Sequence, residues 1–330
     1  MRAQRLARPR PVDEAPLRAG DLPEPTAGPR EVLLRVRACG VCRTDLHIVE
    51  GDLTPPRLPL TLGHQVVGEV VSAGEGARLA PGTRVGIPWL AWACGECDFC
   101  LRGEENLCTS AQFTGFHRDG GFAERVSAAA DFVLPLPDEL SDEMLAPLLC
   151  AGIIGYRSLR RAEVAPGDTL GLIGFGASAH LALPVALSWG CRVFVFTRGR
   201  THRELALQLG AAWAGGIEDP APAPLDRAVL FAPAGDLVPA ILERLRPGGR
   251  LAINAIHLST IPSLPYSLIY GERTITSVAN ATRQDGLDFL RLAVELGIRP
   301  RIRVYRMDDA NQALADLRHS HLEAAAVLVP

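Results

Sequence analysis

Four cysteines follow one another closely in the middle of the chain, with the spacing Cys-x2-Cys-x2-Cys-x7-Cys: Cys94, Cys97, Cys100 and Cys108. Four thiolates this close in sequence match the tetrahedral ligand set of a structural zinc site, where metal binding contributes directly to folding. Two disulfides or an iron–sulfur cluster are the alternatives, but no secretory segment accompanies the cysteines. The spacing therefore predicts a structural zinc lobe over residues 94–108.

The other residues that can do chemistry are few. The chain has 8 cysteines and 8 histidines, so a second metal site must draw on the histidines and on Cys39, Cys42, Cys150 and Cys191. All 34 basic residues are arginine. The lack of lysine excludes Schiff-base catalysis, a Walker phosphate loop and a Tyr–Lys proton-transfer pair. A metal, a histidine or an arginine would have to polarise any carbonyl substrate.

A glycine motif follows an apolar strand and opens an apolar helix. It runs Gly174-Phe-Gly176-Ala-Ser-Ala179. The first glycine permits a tight turn, the second lets a pyrophosphate approach the helix N-terminus, and alanine is accepted as the third small residue. A turn that only packs helix on strand is the alternative. The strand–helix context favours a dinucleotide site.

The end of the next predicted strand bears on the choice of cofactor. NAD sites usually place an Asp or Glu there to bind the adenosine ribose, whereas this chain has Thr197, Arg198 and Arg200. A hydroxyl and two guanidinium groups suit a 2′-phosphate, which favours NADP over NAD. The alternative is that the arginines are solvated loop charges.

The elements that position these residues change character near residue 150. Short alternating runs with many Gly and Pro precede it and predict a β-rich, barrel-like domain. A strand–helix rhythm follows and predicts a doubly wound parallel sheet, so the fold class is α/β. We expect the first domain to comprise residues 1–152 and 297–330, and the second residues 153–296.

Composition narrows the setting. The chain of 330 residues is 48% hydrophobic with a net charge of −3, so nothing favours nucleic acid or an anionic membrane as a partner. The N-terminus lacks an apolar signal region, and we expect a cytoplasmic protein. The uncharged stretch 169–191 is long enough for a membrane span, but its glycines and proline favour a buried strand, turn and helix.

Several motifs occur together, in order along the whole chain: Cys39-Gly-Val-Cys42-Arg-Thr-Asp-Leu-His47, Gly63-His64-Gln-Val-Val-Gly68-Glu69, the four-cysteine lobe, Asp119-Gly-Gly-Phe-Ala-Glu124 and Leu148-Leu-Cys150-Ala-Gly152. In this combination the chain resembles the zinc-dependent alcohol dehydrogenases of the medium-chain dehydrogenase/reductase family. The resemblance implies a GroES-like catalytic domain and a Rossmann cofactor domain. It also implies reversible hydride transfer between an alcohol or aldehyde and NAD(P), with two zinc ions per chain.

The resemblance also assigns roles to residues. The catalytic zinc ligands are Cys42, His64 and Cys150, a set that leaves one position open for substrate. Asp45 would orient His64, and Gln65 replaces the usual glutamate beside that ligand, so this position keeps an oxygen donor but loses the charge that assists ligand exchange. The remaining assignments are Thr44 and His47 as a proton relay through the cofactor ribose, and Arg43 as a pyrophosphate partner.

For the substrate, the resemblance places Trp89 and Leu53 in the pocket wall, which suits a medium-sized apolar or aromatic primary alcohol. His257 and Asn280 end predicted strands and would face the nicotinamide, or else be ordinary hydrogen-bonded or turn residues. The family favours dimers or tetramers. The competing functions are a zinc-free quinone or enoyl reductase of the same superfamily and a non-enzymatic redox sensor that binds zinc and nucleotide.

Overall fold

The computed structural model describes residues 1–319, 321–322 and 325–330. The chain divides into two compact units. One comprises Met1–Ile153 together with Asn280–Pro330, and the other comprises Ile154–Ala279.

The strands are β1 Arg2–Leu6, β2 Leu17–Asp21, β3 Glu31–Val41, β4 Leu60–Thr61, β5 Val66–Ala73, β6 Arg84–Ile87, β7 Leu90–Trp92, β8 Gln112–Phe113, β9 Arg125–Ala129, β10 Leu134–Pro135, β11 Thr169–Ile173, β12 Arg192–Phe196, β13 Trp213–Gly215, β14 Leu225–Leu230, β15 Leu245–Ile253, β16 Thr274–Ser277, β17 Ile302–Arg306 and β18 Ala325–Val329.

The α-helices are α1 Arg43–Glu50, α2 Asp98–Leu101, α3 Asp142–Pro147, α4 Ile153–Arg161, α5 Ala177–Ser188, α6 Arg200–Gln208, α7 Val238–Arg244, α8 Ser267–Tyr270, α9 Arg283–Glu295 and α10 Ala310–Arg318. A π-helical turn, Leu148–Gly152, joins α3 to α4. Short 3-10 turns occupy Val12–Glu14, Glu105–Leu107, Ala130–Phe132, Gly235–Leu237 and Met307–Asp309.

The first unit is built around a seven-stranded sheet in the order β10-β6-β5-β3-β18-β17, with β9 also paired to β3. The central strand β3 alternates between buried and exposed side chains: Leu34 and Val36 are buried, whereas Arg35 and Arg37 are exposed. This alternation places one face on the core and the other in water. Two smaller sheets, β2-β1-β4 and β7-β8, complete the unit. This is the GroES-like domain expected from the sequence.

The second unit contains a six-stranded parallel sheet in the order β13-β12-β11-β14-β15-β16. Its inner strands β11 and β12 are apolar and buried along most of their length, as parallel strands covered by helices must be. Phe194, Phe196 and Leu230 belong to the core. The order reverses between β11 and β14. Such a switch point is where Rossmann folds bind a dinucleotide, and the doubly wound prediction is confirmed.

The uncharged stretch 169–191 forms β11, a turn and α5. In the part of the chain that the structure describes, no helix has the length and apolar character to span a bilayer.

The second boundary between the units differs from the expected position at residue 297. The first unit resumes at Asn280, and α9 belongs to it. Phe289 of α9 is fully buried, and a Cβ on Gly152 would lie 2.1 Å from its ring. At the start of α9, Arg283 donates to Glu105 at 2.8 Å. In sequence, β16 followed by α9 looks like one more strand–helix repeat of the parallel sheet. In the structure, α9 packs in the core of the first unit.

Candidate active site

The site begins where β3 ends and α1 starts. Cys42 is the N-cap residue of α1, and its backbone N–H donates to Asp45 Oδ2 at 2.9 Å. The other carboxylate oxygen, Asp45 Oδ1, lies 3.2 Å from His64 Nδ1 and accepts from the Gly63 N–H at 3.3 Å. One fully buried carboxylate therefore positions residues from two separate segments.

The residue before His64 is Gly63, and no other residue fits there without rearrangement of its neighbours. Gly63 has a φ of +93°, and a Cβ there would lie 2.5 Å from Phe122 and 2.7 Å from Cys39 Sγ. Only glycine combines this conformation with such a close approach. Gln65 is buried as well, and a Cβ on Gly40 would meet its Oε1 at 2.7 Å.

Cys150 lies in the π-helical turn Leu148–Gly152. Extra residues of this kind in helices are frequent at functional sites, because they turn one side chain out of the regular helical row. The Cys150 and Cys42 sulfurs are 3.9 Å apart. Zinc–sulfur bonds of about 2.3 Å at tetrahedral angles separate two sulfurs by about 3.8 Å, so the spacing fits a shared zinc ion.

The three side chains Cys42, His64 and Cys150 bring their ligand atoms within 4.8 Å of one another. His64 Nε2 is buried and has no hydrogen-bond partner among the described residues. Its other nitrogen is held by Asp45, so Nε2 is the atom left to bind a metal. The donor set and the orphaned nitrogen together fit zinc with one position open.

The electrostatics of this cluster suit a cation. A hydrogen bond from Cys150 lowers the pKa of the Cys42 thiol. Burial lowers the pKa of His64, but the Asp45 carboxylate and the Cys42 thiolate outweigh it and raise the pKa to about 10. A buried site that holds a proton this firmly has a negative potential, which zinc would neutralise in its place.

The expected relay residues lie on α1. Thr44 is buried, and its Oγ1 lies 3.7 Å from Cys42 Sγ. His47 is one turn further along and partly exposed, with its Nδ1 2.9 Å from Asp52 Oδ2. Thr44 is therefore next to a candidate ligand, and His47 is next to solvent. Arg43, between Cys42 and Thr44, is exposed.

The expected substrate wall is aromatic and tightly packed. The Trp89 ring meets His64 edge-on at 4.9 Å between centroids and stacks on Phe113 at 5.1 Å. Leu53 is half-buried and packs against the core of the first unit. The structure thus places Trp89 directly beside a candidate zinc ligand.

The four-cysteine lobe forms around α2. The ligand atoms of Cys94, Cys97, Cys100 and Cys108 all lie within 4.8 Å of one another. Cys94 Sγ lies 3.6 Å from Cys108 Sγ and 3.9 Å from Cys100 Sγ, again the spacing of a zinc tetrahedron. Backbone N–H groups of Glu96 and Cys97 lower the pKa of Cys94 to about 6, which favours the thiolate that zinc requires. All eight cysteines are free thiols.

The candidate cofactor loop lies in the second unit, between β11 and α5. Gly174 has a φ of +88°, and a Cβ there would lie 2.8 Å from Ala232 N. Gly176 is the N-cap of α5, and a Cβ there would meet nothing within 4 Å. The space in front of this helix N-terminus is therefore open, as a pyrophosphate site needs. Ala179 is fully buried, which explains its small size.

The loop after β12 carries the residues expected near the adenosine ribose. Thr197 is half-buried, and its carbonyl accepts from Arg203 Nε at 2.9 Å. Arg198 is exposed. Arg200 opens α6 and forms an ion pair with Glu204 at 2.7 Å, so the structure gives Arg200 a partner of its own.

Sequence reasoning missed two contacts. Asp52 holds His47, and Asn280 accepts a hydrogen bond from Trp89. The proximity of Asp52 to His47 in sequence was a signal for the first contact. No sequence signal links Trp89 to Asn280.

Comparisons with known proteins agree with this geometry. A family model described as "Alcohol dehydrogenase GroES-like domain" matches residues 28–138. A Mycobacterium tuberculosis protein described as "Probable alcohol dehydrogenase AdhA" is 48% identical, over 100% of this chain and 97% of the relative. An alcohol dehydrogenase of Geobacillus stearothermophilus is 34% identical, over 95% of this chain and 96% of the relative. Among solved structures, a cinnamyl alcohol dehydrogenase from Sorghum bicolor superimposes with a TM-score of 0.90 at 28% identity, covering 99% and 97% of the two chains.

A GroES-like domain with a Cys2His cluster, together with a Rossmann sheet, defines a dehydrogenase of the zinc type. The chain belongs to the zinc-dependent alcohol dehydrogenases of the medium-chain dehydrogenase/reductase family. It is an NAD(P)-dependent oxidoreductase that acts on alcohols, and the expectation of this activity is confirmed. Both curated relatives are described as alcohol dehydrogenases, and neither as a zinc-free reductase or a redox sensor.

Proposed function

We propose that the enzyme interconverts medium-sized, apolar or aromatic primary alcohols and their aldehydes, with two zinc ions per chain and NADP as the preferred cofactor. The observation that carries the proposal is the cluster of Cys42, His64 and Cys150 beside the Trp89 ring. Three protein ligands leave a coordination position for a substrate oxygen. The aromatic wall next to it gives an apolar substrate a surface to pack on.

The residues of the chain divide the work. When bound, zinc acts as a Lewis acid on the substrate oxygen, and the nicotinamide exchanges the hydride. Asp45 keeps Cys42 and His64 in place through both of its oxygens. Thr44 Oγ1, beside Cys42, would accept the hydroxyl proton of the alcohol as it gives up its own, and His47 would release a proton to solvent. Asp52 holds the His47 imidazole in position on Nδ1.

The other proposed roles concern binding. The exposed Arg43 guanidinium would offer a positive charge to a pyrophosphate. Within the second unit, Gly174, Gly176 and Ala179 would shape the turn on which a cofactor pyrophosphate rests. Gln65 has no charge to offer at the metal, so we propose that it fills space against Gly40 and does not take part in ligand exchange.

The preference for NADP rests on the loop after β12. It offers the Thr197 hydroxyl and the Arg198 guanidinium where an NAD enzyme carries an acidic residue. Arg200 is already paired with Glu204, so Arg198 is the main cationic candidate. In a Thr197→Asp variant, the ratio of kcat/KM for NADP to kcat/KM for NAD should fall, because a carboxylate repels the 2′-phosphate. A wild-type enzyme that prefers NAD would contradict the proposal.

The substrate class rests on the Trp89 wall. The sorghum relative, 28% identical, is named for cinnamyl alcohol, an aromatic primary alcohol. A panel of ethanol, hexanol, benzyl alcohol and cinnamyl alcohol with both cofactors tests the proposal. We expect the highest kcat/KM for the larger apolar alcohols. A clear preference for polyols or for secondary alcohols would overturn the proposed class.

Metal analysis tests the site itself. Cys42→Ala should lose one zinc ion and nearly all turnover. Cys39→Ala is the matched control, because Cys39 is a buried cysteine three residues earlier, in β3, that lies outside the ligand cluster. It should keep both zinc ions. Equal zinc content in the two variants would rule out Cys42 as a ligand.

We also propose that the enzyme self-associates, as a dimer or a tetramer. Between β15 and β16 the second unit exposes large apolar side chains, with Tyr266 and Tyr270 each 73% and Ile256 49% exposed. The following strand, β16, is at the edge of its sheet. Exposed edges and apolar patches are usually covered in an assembly.

A further inference from the structure

The Trp89 side chain is held at its polar end as well as on its ring. Its face stacks on Phe113 with 11° between the planes, and it meets His64 at 77°. In addition, the indole Nε1–H donates a hydrogen bond of 3.0 Å to Asn280 Oδ1. A buried or half-buried indole N–H usually finds such an acceptor. The partner here comes from a segment far away in the sequence.

Asn280 is well placed to be a fixed acceptor. It has a φ of +55°, a conformation that asparagine adopts more readily than most residues. Two residues later, Thr282 caps α9 in a reciprocal bond with Asp285. The buried Phe289 then anchors α9 in the core of the first unit. The loop that carries Asn280 is therefore tied to the same unit as Trp89.

We propose that Asn280 is a positioning residue that sets the orientation of the Trp89 ring and thereby the range of alcohols that the site accepts. This inference rests on the proposed role of Trp89 as a substrate wall. Without the Asn280 acceptor, the ring keeps its stack on Phe113 but loses the bond that fixes its rotation about χ1 and χ2. Substrates that are large enough to reach the Trp89 ring then meet a less defined surface. Ethanol is too small to reach the ring and should be unaffected.

The decisive variant is Asn280→Gly, because glycine keeps the positive φ and removes only the acceptor. We expect kcat/KM for benzyl alcohol to fall by about three- to tenfold, the range of one lost hydrogen bond. The loss should appear mainly in KM, since the wall contacts bound substrate as well as the transition state. For ethanol, kcat/KM should change by less than about twofold, and zinc content should be unchanged. Asn280→Asp, which keeps an acceptor oxygen, should restore most of the benzyl alcohol activity.

A double-mutant cycle with Trp89→Phe separates positioning from a general structural role. Phenylalanine keeps an aromatic ring and has no N–H, so Asn280→Gly should add no further loss in that background. A loss that is equal in both backgrounds would show that Asn280 does not act through Trp89, and would overturn the inference.

The same four proteins give a readout that needs no turnover. Subtracting the emission spectrum of each Trp89→Phe protein from that of its parent isolates Trp89 fluorescence. We expect Asn280→Gly to shift this emission and to increase its quenching by acrylamide. An unchanged Trp89 signal would overturn the inference about Asn280. If the enzyme oxidised no alcohol in the panel, that result would count only against the proposed substrate, and the fluorescence test would still apply. If Asn280→Gly did not fold, Trp89→Phe alone should show the selective loss for benzyl alcohol, and equal losses for both alcohols would overturn the inference.

Discussion

Asp45 connects two of the three candidate ligands of the catalytic zinc through a single carboxylate. In Asp45→Asn, one of the two carboxylate oxygens becomes an NH2 donor, so either the Cys42 N–H or the His64 Nδ1 and Gly63 N–H groups lose their acceptor. We expect the zinc affinity of this site to fall by about 10- to 100-fold, as is typical when such a supporting group is lost. Metal titration against a chelator measures the change.

The control for this prediction is Asp52→Asn. Asp52 contacts His47 and lies outside the ligand cluster. The zinc content of the Asp52→Asn variant should therefore equal that of the wild type. Wild-type zinc affinity in Asp45→Asn would mean that the capped turn is held by other contacts.

His47 is the second residue with a separable role. Because general acid–base assistance is typically worth about 10²–10⁴-fold, His47→Ala should slow alcohol oxidation markedly, most strongly near neutral pH, with both zinc ions retained. Imidazole buffer should restore part of the rate. Thr44→Ser should be mild and Thr44→Ala severe, since only serine keeps the hydroxyl. A pH–rate profile that is the same for His47→Ala and wild type would leave the proton to another route.

At the scale of elements, the turn between β11 and α5 separates the roles of two glycines. Gly174→Ala should destabilise the protein by about 1–2 kcal/mol, the cost of a left-handed conformation for an L-residue, and the contact with Ala232 N adds to it. Gly176→Ala should fold with wild-type stability, because its Cβ meets open space. It should nevertheless weaken NADP binding by about tenfold or more, since the methyl group occupies the approach of the pyrophosphate. Thermal unfolding and cofactor titration distinguish the two effects.

The zinc lobe is the other element with a distinct test. Cys97→Ala leaves three thiolates, and we expect one zinc ion per chain and a free energy of unfolding lower by roughly several kcal/mol, because metal binding at a structural site is folding energy. Thermal denaturation and metal analysis measure both. Cys191→Ala, which changes a buried thiol outside either ligand set, should keep two zinc ions. Unchanged stability in Cys97→Ala would contradict a structural role for the lobe.

At the scale of the whole molecule, light scattering after gel filtration should give a multiple of the chain mass of 35.3 kDa. Tyr270→Asp should lower that mass, because it introduces a charge into the exposed apolar segment of the second unit. Leu101→Asp is the matched control: Leu101 is equally exposed, at 72%, but lies in the zinc lobe. A monomeric wild type would contradict the proposal, and a loss of mass in the control alone would move the interface to the lobe.

The amino-acid pattern was sufficient to predict the metal-binding chemistry of the lobe and the fold class. The four-cysteine lobe is local, so its spacing alone predicts the ligand set. The glycine motif and the strand–helix rhythm predict the Rossmann sheet, because both depend on backbone conformation and burial within a short segment. Cys42, His64 and Cys150 followed from the resemblance to a family, and the structure brings them together.

Which groups surround these residues, and where the second unit ends, depend on long-range packing. The π-helical turn at Cys150, the bond from Trp89 to Asn280 and the return of the chain at Asn280 were not predicted. Hydrophobic periodicity indicates that a helix such as α9 buries one face, but it does not indicate which of the two cores that face packs against. Contacts between residues far apart in sequence depend on how whole elements pack, and no local pattern records that choice.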